Sequence, residues 1–165
     1  MIQMKVKRIA ADRRRKPLVI LMDNDETMVL PILVGINEAM AIYFELTNHK
    51  PPRPMTHDLI ANMIRELGMT LEDVVINRFH EDTYYAVIHL TAGDKRYEID
   101  ARPSDAIAIA LRLGAPVYVD SAVLDQHAFH ASEVSFGADE QEGREDDTDE
   151  RFRSIIEEAD LDPDT

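Results

Sequence analysis

The chain repeats itself. Gly35-Ile36-Asn37-Glu38-Ala39-Met40-Ala41-Ile42 and Arg102-Pro103-Ser104-Asp105-Ala106-Ile107-Ala108-Ile109 lie 67 residues apart, each behind a strand-like run. Both copies read as a strand, a tight corner, and a helix with a carboxylate in its first turn and Ala-x-Ala behind it. The same offset sets Leu18-Val19-Ile20-Leu21 over Tyr85-Ala86-Val87-Ile88, a second strand-like pair. Self-similarity at a fixed period constrains a fold more than composition does, because each copy must form the same supersecondary unit. Two copies make a duplicated domain, not a solenoid.

Alternation and turn residues place strands at 4–10, 18–22 and 28–34, followed by a helix over 36–47. Ala39, Ile42, Tyr43 and Leu46 fall on one helical face, predicted to be buried. Pro51, Pro52 and Pro54 forbid helix and fix an extended connector. Thr56 is the predicted N-cap of a second helix that stops at Gly68, with Leu59, Met63, Ile64 and Leu67 as its apolar face. The pattern then returns: strands at 74–79, 84–90 and 96–101, and a helix over 103–113 closed by Gly114 and Pro116. A short strand at 117–119 and a brief helix capped by Ser121 follow. The expected fold class is α+β: a duplicated β-β-β-α unit forming a mixed, mainly antiparallel sheet packed with helices.

Composition narrows the setting. There are no cysteines, so disulfides and thiolate metal sites are excluded and a reducing cytoplasm is expected. No apolar run approaches a membrane span, and the N-terminus shows no secretory pattern. The net charge of −14 is unevenly placed. Residues 138–165 hold 13 acids and 3 bases, leaving 19 acids and 15 bases for 1–137. The expected division is a folded domain at 1–136 and an acidic tail at 137–165, with a short amphipathic helix over 151–161 carrying Phe152, Ile155 and Ile156. The core is close enough to neutral to admit a polyanion, without attracting one by bulk charge. Apolar strand faces and a tail helix in need of a partner point to a homo-oligomer, most simply a dimer.

Three strings carry a resemblance. Lys50-Pro51-Pro52-Arg53-Pro54-Met55-Thr56-His57-Asp58-Leu59, Asp100-Ala101-Arg102-Pro103-Ser104-Asp105-Ala106-Ile107-Ala108, and Leu30-Pro31-Ile32 with Gly35 and Glu38 resemble the bifunctional nuclease domain family over residues 1–130. The resemblance implies a compact α+β domain and nuclease activity on both DNA and RNA. The chain departs from it in a more basic first turn, Arg13-Arg14-Arg15-Lys16, and a longer, more acidic tail.

Chemistry then narrows the mechanism. DNA lacks a 2′-hydroxyl, so an enzyme that cuts both polymers must activate water. With carboxylates and a histidine but no thiols, the expected activator is a hard divalent cation, Mg²⁺ or Mn²⁺. Asp58 and Asp105 are the candidate metal ligands, and His57 is the candidate base. Arg53 and Arg102 are candidate phosphate clamps, with Ser104 in the substrate-binding set. Each has a plainer reading beside this one. Asp105 and Glu38 fall at the third helical position, where a carboxylate caps free amides. Thr56 and Asp58 suit a first turn in the same way, and adjacent His57 and Asp58 point about 100° apart on a helix. Asp100 before Arg102 suggests an ion pair with Arg102 or Arg53. The remaining histidines lack metal-ligand spacing. The rival function is a non-enzymatic module that binds a phosphorylated ligand or a partner's carboxylate.

Overall fold

The computed structural model describes residues 1–12 and 14–134. The acidic tail and its expected helix lie outside the described residues. Eight strands form one sheet in the order β6-β5-β4-β7-β1-β2-β3-β8. The first unit is β1 (Ile2–Ala11), β2 (Pro17–Asp23), β3 (Met28–Leu33) and helix α1 (Ile36–Leu46). The second is β4 (Thr70–His80), β5 (Thr83–Ala92), β6 (Lys95–Ala101) and α3 (Pro103–Leu113), with α2 (Thr56–Glu66) inserted between the units. Every repeated element recurs at the offset of 67 to within a few residues, and Glu38 and Asp105 occupy the same helical position.

Each unit is an antiparallel meander. The two are joined by β7 (Val117–Val119), which runs antiparallel to β1 and parallel to β4. That pairing is the one parallel step among the described strands, so the sheet is mixed and mainly antiparallel. Helix α4 (Ser121–His127) and a two-residue strand β8 (Phe129–His130) complete the path. Asp120 caps α4 by accepting from the Ala122 amide at 2.8 Å, so the cap lies one residue before the expected Ser121. Strand β8 had no sequence signal, because so short an element is made by its pairing with β3.

Helices α1 and α3 lie side by side and bury most of their apolar residues, including Ala39, Ile42, Ala106 and Ile107 at full burial. Their Ala-rich faces allow this close approach. Leu46, expected inside, is exposed at the end of α1, while Met40 and Phe44 are buried in its place. α1 is covered on more than one side, so a single-stripe reading misassigned its rim. α2 corrects the sequence reading further. It buries His57, Ala61 and Ile64, and leaves Leu59, Met63 and Leu67 more than half exposed. The helix packs inward through His57, Ala61 and Ile64, which turns the i, i+4, i+8 stripe of Leu59, Met63 and Leu67 outward.

Candidate active site

The cap of α2 lies one residue before the expected Thr56. Met55 holds the N-cap position, Thr56 is the first helical residue, and the Asp58 carboxylate reaches back to accept from the Met55 amide at 2.8 Å. This anchors the first turn and sends two neighbouring side chains to opposite ends of α3. The His57 Nε2 stands 2.9 Å from Asp105 Oδ1 in the first turn of α3. Asp58 Oδ1 accepts from Arg112 Nε at 2.5 Å in the last turn. Arg112 is nearly buried and also donates to the carbonyls of Ala41 and Ala108, so it fastens α1, α2 and α3 together.

The cluster at the head of α3 has four members. Arg102 is the N-cap residue of that helix. Its Nε donates to Asp105 Oδ2 at 2.6 Å and its Nη2 to Asp105 Oδ1 at 3.1 Å. The same Nη2 lies 2.8 Å from Glu38 Oε1 in the first turn of α1. One guanidinium therefore joins the equivalent carboxylates of the two repeats. Glu38 folds back over its own corner: a Cβ built on Gly35 would fall 2.2 Å from Glu38 Oε2. The corresponding position in the second repeat is Arg102 itself.

Electrostatics assign the protons. Burial alone would raise the Asp105 pKa, but hydrogen bonds from Arg102 and His57 outweigh it and hold the carboxyl below its usual range. Burial would likewise raise Asp58, and the bonds from Arg112 and the Met55 amide lower it. An ionised Asp105 only accepts, so His57 Nε2 carries the hydrogen in that bond. In neutral His57 the lone pair then sits on Nδ1, which has no protein partner and is not sealed from solvent among the described residues. The hydrogen bond to Asp105 raises the pKa of Arg102 further.

Beside this cluster lies an open cleft of about 470 Å³. Its walls pair equivalent residues of the two repeats: Pro17 with Tyr84, and Gly35 with Arg102. Lys16, Pro103 and Ser104 also line it, as do the end of β3 and the Asp82–Thr83 turn. The N-termini of α1 and α3 both open toward it, and helix N-termini present free amides and positive dipole ends. Tyr84 is pressed against Phe79 and His127, and its burial raises the phenol pKa.

The structure thus brings together His57, Asp105, Arg102 and Ser104. Asp58 stands at the far end of α3, in a cap and an ion pair. Arg53 is exposed on the proline connector without a bond to the cluster among the described residues. Asp100 stays exposed on β6, and Arg102 pairs with Glu38 and Asp105 instead. Sequence reasoning favoured a capping role for Glu38, read Lys16 as part of a solvated basic turn, and did not single out Arg112. The offset that lays Glu38 on Asp105 was the available signal for the first. Arg112 sits seven residues after Asp105, hence on the same helical face. Among the described residues no group of three or more His, Asp and Glu is placed to hold a metal. Glu38 and Asp105 share Arg102 as a common cation. Among the described residues no helix is long and apolar enough to cross a membrane.

Residues 19–132 match the model of the bifunctional nuclease domain. Over 143 residues the chain is 38% identical to an uncharacterised protein of Mycobacterium tuberculosis, covering 87% of this chain and 85% of that one. It is 33% identical over 107 residues to Bifunctional nuclease 2 of Arabidopsis thaliana. It is 28% identical over 106 residues to Bifunctional nuclease 1 of Oryza sativa subsp. japonica. Each plant match covers 62% of this chain and 32% of the plant protein, so the chain spans about a third of those relatives. The chain belongs to the bifunctional nuclease domain family.

Proposed function

We propose that this protein hydrolyses phosphodiester bonds in DNA and RNA at the cleft between the two repeats. The observation that carries this reading is the His57–Asp105–Arg102–Glu38 cluster, whose Arg102, the N-cap residue of α3, lines the cleft together with Gly35, the N-cap residue of α1. A phosphate in the cleft would meet the free amides of both helices, Lys16, and the exposed guanidinium of Arg102. His57 Nδ1 would take the proton from the attacking water, while Asp105 holds the opposite nitrogen in its protonated form. Ser104, at the second position of α3, would present its backbone amide and hydroxyl to the phosphate.

Mg²⁺ or Mn²⁺ belongs to the proposal. Glu38 and Asp105 would hold such a cation once Arg102 turns to the phosphate, and it would supply an acidified water. Asp58 is left out of the ligand set, because its oxygens serve Arg112 and the Met55 amide. Arg53 is proposed only as an outer contact to the polymer backbone. The cysteine-free composition supports a cytoplasmic setting as part of this proposal. A two-fold dimer would cover the apolar residues left open on α2 or on β6, where Tyr97 and Ile99 are exposed.

The test is cleavage of single DNA and RNA substrates by highly purified protein, with EDTA, with added Mg²⁺ or Mn²⁺, and beside His57→Ala and Asp105→Asn. The proposal expects EDTA and either substitution to abolish cleavage of both polymers. One observation favours a second reading: both Asp105 oxygens are already engaged. Binding of nucleic acid that depends on Arg102 with no cleavage under any cation would establish a binding module instead.

A further inference from the structure

A second cavity, of about 330 Å³, lies at the opposite end of α3 from the candidate active site. It is walled by the proline connector, the last turn of α1, α2 and Arg112. Its chemistry differs from the surface around it. Three bases, Lys50, Arg65 and Arg112, face two acids, Glu45 and Asp58, in a protein whose net charge is −14. Asp58 is already taken by Arg112, which leaves Lys50 and Arg65 against Glu45 alone.

Arg112 supplies the decisive detail. Its side chain is 5% exposed, so it is as buried as the core around it. Nε donates to Asp58, and Nη1 donates to the carbonyls of Ala41 and Ala108. Nη2 has no partner among the described residues, yet it is not among the buried atoms sealed without one. Arg112 lines the cavity, and the Nη2 N–H groups are the part of its guanidinium that no acceptor takes among the described residues. A guanidinium held rigid by three acceptors presents its free edge at no further ordering cost, and such an edge suits a phosphate oxygen. Arg65 is fixed beside it, its Nη2 donating to the Arg112 carbonyl at 2.5 Å. Pro51 and Pro54 flank the opening and stiffen the segment that carries Lys50.

We infer that this cavity is a second anion site, which takes a phosphate group through Arg112 Nη2 with Lys50 and Arg65 as supporting charges. The phosphate can come from inorganic phosphate or from the 5′-phosphate of a mononucleotide, and the two share this chemistry. Binding here is separate from the cleft at the head of α3 and does not depend on cleavage.

The experiment is titration of the full chain with inorganic phosphate and with a 5′-mononucleotide, followed by amide NMR and calorimetry. Saturable binding at millimolar phosphate or below is expected, with the largest shifts at Lys50, Asn62, Arg65 and Arg112. Lys50→Glu should weaken it by about tenfold or more, because it reverses a charge at the mouth. Lys16→Glu, in the other cleft, should leave it unchanged. Arg112→Lys tests the buried donor while keeping the charge. In folded Arg112→Lys protein the same shifts should need a higher phosphate concentration. A mononucleotide that binds tighter than phosphate assigns the site to nucleotides, and equal affinity assigns it to the free ion. Absence of saturable binding by both probes overturns the proposal. So does binding that Lys50→Glu leaves intact, or shifts confined to the Lys16–Arg102 cleft.

Discussion

Arg102 Nη2 stands 2.8 Å from Glu38 Oε1, so the N-cap residue of the second repeat's helix holds the first-turn carboxylate of the first repeat's helix. The contact ties the two repeats together at their equivalent helix N-termini. Equivalent corners meet, equivalent carboxylates converge on one cation, and the cleft forms where the copies face each other. The copies differ at this corner: Gly35 leaves room for Glu38 to fold back, and its counterpart Arg102 bonds both acids.

His57→Ala should reduce cleavage of DNA and RNA by about a hundredfold or more, the usual scale for a positioned base. Asp105→Asn should do the same and also lower the melting temperature, because the ionised carboxylate that Arg102 and His57 bond is lost. Arg102→Lys should weaken substrate binding although the charge is kept, because the two-pronged grip is lost. Gel-based cleavage assays and melting curves of the same preparations separate these effects.

Gly35→Ala should leave stability nearly unchanged. The atom it would strike is the end of the flexible Glu38 side chain, and Gly35 has an ordinary extended backbone. Glu38 must then leave Arg102, and cleavage should fall. Normal turnover by a folded Gly35→Ala protein would remove Glu38 from the site.

Arg112→Ala should destabilise the fold by about 3–5 kcal/mol, measured by urea unfolding. The change strands the Asp58 carboxylate and leaves the Ala41 and Ala108 carbonyls without this donor. A loss below about 1 kcal/mol, the scale of an exposed ion pair, would show that Arg112 is not a three-helix fastener.

Stability should fall in acid through Asp58 and Asp105. Both carboxyls have lowered pKa values in the fold, against upward pressure from burial. The unfolded chain therefore takes up protons first as pH drops, so the stabilisation is complete above the ordinary aspartate value of about 3.9. It drains away as pH falls through the folded values. Melting temperatures recorded downward from about pH 5 should show this slope, and Asp58→Asn should flatten it. An unchanged slope in Asp58→Asn would place the acid sensitivity elsewhere.

Removing residues 138–165 should leave the domain folded and tighten nucleic-acid binding at low salt, because the segment carries 13 acids against 3 bases. Fluorescence anisotropy at two salt concentrations measures the second effect. A large fall in melting temperature would instead mean that the Phe152–Ile156 segment docks on the core.

What the sequence alone determined is what acts over a few residues. The repeat offset, the alternation of the strands, and the glycines that end α2 and α3 are local rules. Gly68 and Gly114 both take the left-handed conformation that stops a helix. Pro103 and Asp105 fit the first turn of α3 by the same kind of rule. Tertiary packing decided the rest. It inserted β7 between the meanders, turned Leu59, Met63 and Leu67 away from the core, and sent the neighbours His57 and Asp58 to opposite ends of α3. It also set which acids share Arg102, because a charge pair far apart in sequence depends on how two helices lie against each other, and no local propensity encodes that distance.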